Sequence, residues 1–487
     1  MANETSFAGY PSVVVFDAPE GDAIQQLLWG DFVRETGNRQ EGWVEINARN
    51  TKGWVKEKAE DGEDSLLKDR LLEVIFVDIG QGDGCLVVTP DDRNLLVDAG
   101  QGDNMQRFLR WRYNKFKKPC KFDAFISHPD QDHYLGFDKI FDEQNVTFGN
   151  VYHNGIVERA GEERLGPRID GYLTDIITNQ DALAGLLSDP ANFHRVKYPT
   201  MLDKALNSGR VKDISMLSAD DKFVPGFEGN EGFAIEVLGP VVEPDAEGNP
   251  RLRWLKDVGK TKNGHSIVLR LRYHDISIML GGDLNIPSEQ LLLNHHTKMQ
   301  TPPVNAEQER LIIEAARKVF QSDIAKACHH GSADVSDLFL QAVNPIATII
   351  SSGDDEPHAH PRADALGMVG KFSRGARPLV FSTELSRSAK ELVKHPHVLR
   401  EQFQAAEEKL SGTLTDKERV KAQKVFDELV NSLERSIAVF GAINIRTDGR
   451  KVVIAYKIES PTSKAKKWDI YQLEPTEAGI LRFISKH

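Results

Sequence analysis

From Leu72 onward, short apolar runs recur between Gly, Pro, Asn and Asp. They fall at residues 72–77, 85–88, 95–97, 122–126, 146–152 and 233–238, then at 267–273, 276–280, 324–328, 345–350, 379–383, 437–445 and 451–458. Runs of this length, bounded by turn residues, predict β-strands, and the most apolar predict buried ones. Helical spacing lies between them, over 106–121, 290–320 and 389–433. Strands interleaved with helices predict an α/β fold. Residues 389–433 predict a helical insertion near the C-terminus. Residues 158–230 are polar and loop-rich with helical pieces, and resemble an insertion.

The N-terminal pattern is different. Val13-Val14-Val15, Phe32-Val33, Trp43-Val44-Glu45-Ile46 and Lys52-Gly53-Trp54-Val55 are tightly spaced β-prone runs. They predict a small all-β barrel over 10–58. Gly42-Trp43 and Gly53-Trp54-Val55 resemble the closing turn of bacterial SH3-like domains. The resemblance implies an interaction or packing module and a protein partner. Residues 59–71 are charged and predict a linker that becomes a short helix.

Composition narrows the classes. The chain has 487 residues, 40% of them hydrophobic, enough for several cored domains. The formal net charge of −12 argues against non-specific binding along duplex DNA. It leaves room for a nucleic-acid or nucleotide substrate at a local basic patch. Three cysteines form no even disulfide framework and no CxxC pair, which fits a reducing compartment. The first ten residues lack a basic region followed by an apolar core, and no apolar run approaches a membrane span. The expectation is a cytoplasmic protein without membrane contact.

The densest chemistry is Ser127-His128-Pro129-Asp130-Gln131-Asp132-His133. Two imidazoles and two carboxylates follow a buried run, and Pro129 makes the stretch a loop. Imidazole and carboxylate suit zinc, manganese or iron. Other runs also end in an acid, a histidine or a glycine: Asp78, Asp98, Asp283, His329-His330 and His360. Several such ends can meet at one edge of a fold. Over 106–121, Arg110, Arg112, Lys115 and Lys118 alternate with aromatic residues. This pattern suits either a nucleic-acid backbone or an amphipathic helix with a buried aromatic face.

Seven segments, in order, resemble the metallo-β-lactamase fold, in the branch typified by the hydrolase domain of the ComEC DNA-uptake proteins. They are residues 77–83, 95–100, 127–133, 266–271, 281–284, 329–332 and 360–361. The resemblance implies a four-layer αβ/βα sandwich over 72–487 with one or two divalent ions, zinc or manganese, at its edge. It implies His128, Asp130, Asp132, His133, Asp283 and one of His329 and His330 as ligands. Asp130 stands where the larger superfamily has histidine, which shifts the metal preference toward manganese or zinc. Asp132, Asp283 and His360 would carry catalysis. Asp78, Asp83, Asp98 and His265 would orient ligands, although His265 lies where the superfamily expects a ligand. The implied activity is metal-dependent phosphodiester hydrolysis, foremost of DNA. A small ester, such as a cyclic nucleotide or phosphorylcholine ester, is the alternative substrate. A non-catalytic regulatory protein is the alternative class.

Overall fold

The computed structural model describes residues 4–49, 51–60, 62–229, 232–353, 359–383, 396–459 and 461–484. Its architecture is mixed α/β. A ten-stranded sheet runs in the order Val211–Met216, Val146–His153, Cys120–Phe125, Asn94–Ala99, Gly84–Val88, Leu72–Phe76, Ile443–Thr447, Val452–Lys457, Trp468–Pro475, Leu481–Ile484. A seven-stranded sheet runs Phe223–Glu228, Phe233–Gly239, Val268–Tyr273, Ile276–Leu280, Ile324–Lys326, Ala347–Ile350, Leu379–Ser382.

Alternation along the strands explains why these sheets pair. Val74, Phe76, Cys85, Val87 and Leu95 share one core with Val237, Leu269, Leu271 and Ile278 of the other sheet. The alternate residues Ile75, Leu86, Val88 and Leu96 face outward, onto Phe108 and Leu109 of helix Asn104–Arg112 and Leu202 of helix Lys197–Asn207. On the second sheet, Val268 and Met279 turn out to Leu292 and Phe320 of helices Ile286–Thr297 and Ala306–Phe320. Strand period 2 therefore sorts side chains into an inner core and two helix-covered faces.

Residues 4–67 form an all-antiparallel sheet of seven strands with its own core, including Val15, Leu27, Val33, Ile46 and Val55. Strand Glu4–Ala8, ahead of the predicted boundary at residue 10, belongs to it. Among the described residues, no helix forms in the 59–71 linker, where the sequence predicts a short one. Leu66–Leu67 instead pairs with Phe7 and Ala8, because two adjacent leucines can complete a sheet edge there. This unit docks on the larger sheet through Leu28, Trp29, Leu71, Val453, Ala455 and Trp468. Beside that apolar contact lies Arg446, only 1% exposed. It sits 3.2 Å from Glu73, 3.3 Å from the Trp29 carbonyl and 3.5 Å from Asp31.

Three other boundaries differ from the sequence pattern. The basic aromatic stretch is helical only over Asn104–Arg112. Asn114, Lys115 and Phe116 then take positive φ in a tight turn. Strand Val211–Met216, inside the region resembling an insertion, extends the ten-stranded sheet. The strand expected from 437 begins only at Ile443, because helix Asp416–Phe440 runs into it. That helix and Pro396–Ser411 fall in the expected insertion, whose start at Ala389 lies outside the described residues. No helix among the described residues is long and apolar enough to cross a membrane.

Candidate metal centre

The site forms where strands of both sheets end at one edge. Strand Leu72–Phe76 runs into the glycine loop before Asp83. Gly82 has φ +100°, and a Cβ there would lie 1.7 Å from the Asp132 carbonyl. Only glycine lets this loop press on the histidine motif. The Asp83 N–H then donates to that carbonyl at 3.2 Å. His128 and His133 follow strand Cys120–Phe125, and Asp283 follows Ile276–Leu280. His329 and His330 follow Ile324–Lys326, both with positive φ. Two adjacent non-glycine residues in that region store strain, as functional loops often do.

Asp83, His133, Asp283 and His330 form a buried cluster that could hold a metal ion. His133 Nε2 is 3.3 Å from His330 Nε2 and 3.3 Å from Asp283 Oδ2. His330 Nε2 is 3.2 Å from Asp283 Oδ2 and 3.6 Å from Asp132 Oδ2. Ligands about 2.1 Å from a tetrahedral ion stand roughly 3.4 Å apart. His133, His330 and Asp283 therefore have the mutual spacing of three ligands of one tetrahedral ion, with Asp132 beside His330. Asp83 belongs to the cluster but approaches it from behind. It faces His330 Nδ1 at 3.2 Å and His133 Nδ1 at 3.8 Å, and pairs with Lys326.

The supports behind these donors are equally defined. Asp98 accepts from His133 Nδ1 at 2.9 Å, from the Ser127 N–H at 2.8 Å and from the Ser127 hydroxyl at 2.7 Å. This fixes the His133 tautomer with Nε2 toward the cluster. Asp98→Ala is expected to weaken metal binding roughly 10–100-fold while the protein stays folded. Titration calorimetry with manganese or zinc checks this. Burial lowers the basicity of His133 and His330, but the carboxylates of Asp283 and Asp98, and of Asp283 and Asp83, outweigh it and hold both well above the usual imidazole range. Burial also opposes ionisation of Asp283, which His330, His133 and Lys326 reverse.

The loop carrying His329 and His330 rests on Glu289, which is fully buried and accepts the Ser336 N–H at 2.8 Å. Burial pushes its carboxyl up to about 8 from 4.5. The native state then keeps a proton that the unfolded chain releases, so stability falls as pH rises from about 4.5 to about 8. This one group contributes about 5 kcal/mol across that window. Glu289→Gln is expected to flatten the slope, as read from urea midpoints at the two ends of the window.

The remaining expected residues separate into two groups. His360 packs edge-to-face against His329, ring centroids 5.5 Å apart. His329 Nε2 lies 3.8 Å from Asp283 Oδ2, and the side chain is 29% exposed, so His330 rather than His329 stands at the focus. His128 is adjacent, its ring centroid 4.1 Å from that of His133. Asp130 is drawn away to Lys262. Asp78 accepts the Gly80 N–H at 3.2 Å and shapes the glycine loop. His265 turns away and bonds the Arg253 carbonyl at 2.7 Å, so it does not orient a ligand. Arg110 and Arg112 are engaged by Glu143 and Glu73 rather than free for a nucleic acid. Two lysines were missed. Lys326 sits among the ligands, bonding the Gly282 carbonyl at 2.8 Å, 3.4 Å from Asp283. Its signal was a charge inside an apolar strand. Lys262 had none, because it lies in a polar stretch.

No family model matches the chain. One curated relative does. ComE operon protein 3 of Bacillus subtilis (strain 168) is 22% identical over 321 residues, covering 62% of this chain and 31% of that protein. The chain thus spans about a third of the length of the relative it matches. The similarity supports a relation to a ComEC-like family, and the buried His/Asp cluster fits a metallo-hydrolase.

Proposed function

We propose that the protein is a metallo-β-lactamase-fold phosphodiesterase, with DNA as its foremost substrate. The observation that carries this is the focus of His133, His330 and Asp283, with Asp132 beside it, at the edge of two sheets that share one core. A divalent ion bound there would act as a Lewis acid on a phosphoryl oxygen and on the attacking water. Asp132, 21% exposed, faces solvent and would take the proton of that water. His360, beside His329, would protonate the leaving oxygen. His128, His133 and Asp283 are sealed from solvent and would hold the geometry.

A pocket away from the site is a candidate second contact for a polymeric substrate. Lys117, Lys118 and Lys121, with Phe32 and Tyr113, line a cavity of about 940 Å³. It opens at the ends of strands Asn94–Ala99 and Cys120–Phe125 that point away from the metal centre. Six residues of strand place it roughly 20 Å from the reacting edge. A chain substrate could reach both, whereas a cyclic nucleotide could not. The test is a substrate panel with manganese and with zinc: single-stranded DNA, duplex DNA, RNA, cyclic nucleotides and a phosphorylcholine ester. DNA cleavage supports the proposal, and cleavage of small esters alone moves it to the second substrate class. Lys117→Glu/Lys118→Glu/Lys121→Glu is expected to cut oligonucleotide affinity roughly tenfold or more at low salt and spare small-ester turnover.

A further inference from the structure

The resemblance allows one ion or two, and the donors present distinguish these cases. Beyond the His133–His330 focus, the donors nearest a second ion are His128 and Asp130. His128 Nε2 is buried without a hydrogen-bond partner and lies 3.6 Å from Asp130 Oδ2. The segment before strand Val268–Tyr273 packs against Asp130. That segment is helix Val258–Gly264, and His265 at its end points to Arg253.

The helix delivers Lys262 instead. Its ammonium pairs with Asp130 Oδ1, lies 3.0 Å from Glu158 Oε1 and is 13% exposed. Asn263 satisfies its amide only with the nitrogen facing Gly259 O at 3.0 Å and Asp130 Oδ2 at 2.7 Å. Both oxygens of Asp130 are thus held by donors of the chain. Asn285 anchors the same helix by donating to the Lys260 carbonyl at 2.9 Å. An ion on Asp130 would have to displace one of these donors, whereas Asp283 meets Lys326 through Oδ1 at 3.4 Å and turns Oδ2 to the imidazoles.

We propose that this is a one-metal centre in which the Lys262 ammonium takes the place of the second ion and supplies a fixed positive charge beside the phosphate. The inference rests on the hydrolase reading but is tested by metal content. Apoprotein is dialysed against manganese, then analysed for bound metal and by electron paramagnetic resonance. One ion per chain at saturation, with the six-line signal of isolated manganese, is the expected result. Lys262→Ala and Lys262→His are expected to keep the first ion, at least one of them gaining a second, with a spin-coupled signal. Two coupled ions in the wild type overturn this inference and leave the hydrolase reading intact. A second ion in neither variant overturns the assigned role of Lys262. No bound ion at all overturns both this inference and that reading. If the variants do not fold, the wild-type stoichiometry alone decides.

Discussion

Asp283→Ala is expected to abolish metal binding and phosphodiester cleavage together. Asp283 Oδ2 is the point on which the imidazoles converge, 3.2 Å from His330, 3.3 Å from His133 and 3.8 Å from His329. Removing it takes away a ligand and one of the two carboxylates, with Asp83, that face Lys326. Loss of a group that merely orients a ligand costs roughly 10–100-fold in affinity, so losing the ligand itself should exceed that range. Cleavage should fall to background. Calorimetric metal titration and an oligonucleotide assay on the same preparation check both halves. Tight binding with full turnover would place the site elsewhere.

The second large effect concerns stability. Arg446→Ala is expected to destabilise the protein by about 3 kcal/mol, the lower end of the range for breaking a buried ion pair. The cost arises because Glu73, 2% exposed, and Asp31, 5% exposed, lose a shared cation. It stays at the lower end because Arg112 still reaches Glu73 at 2.7 Å and Arg49 still reaches Asp31 at 2.9 Å. The same change should loosen the N-terminal sheet, whose Trp29 carbonyl binds this guanidinium. Urea unfolding followed by tryptophan fluorescence measures it. A loss below about 1 kcal/mol would show that the apolar patch around Trp468 holds the joint alone.

Much of this was legible in the chain because strands announce themselves locally. The runs around Val74, Leu86, Phe122 and Ile278 alternate between two buried faces, and all but the Leu86 run lead into loops that reach the site. The motif around His133 was visible for the same reason: its donors are adjacent in sequence. What could not be read depends on distance along the chain. Asp31 and Arg446 meet across 415 positions, with no local trace of the pairing. His265 looked like a ligand by position, yet a cap turn at the end of its helix aims the ring at Arg253. Lys262 was one charge in a polar stretch until the fold set it against Asp130. Arg112 looked free for a phosphate until Glu73 claimed it.

The most direct test is cleavage of a labelled single-stranded oligonucleotide by wild type and Asp283→Ala, with and without chelator. Cleavage by the wild type that chelation stops, that manganese or zinc restores, and that the variant lacks is the predicted result. Cleavage that survives chelation, or that the variant retains in full, would contradict a metal-dependent hydrolase built on His133, His330 and Asp283.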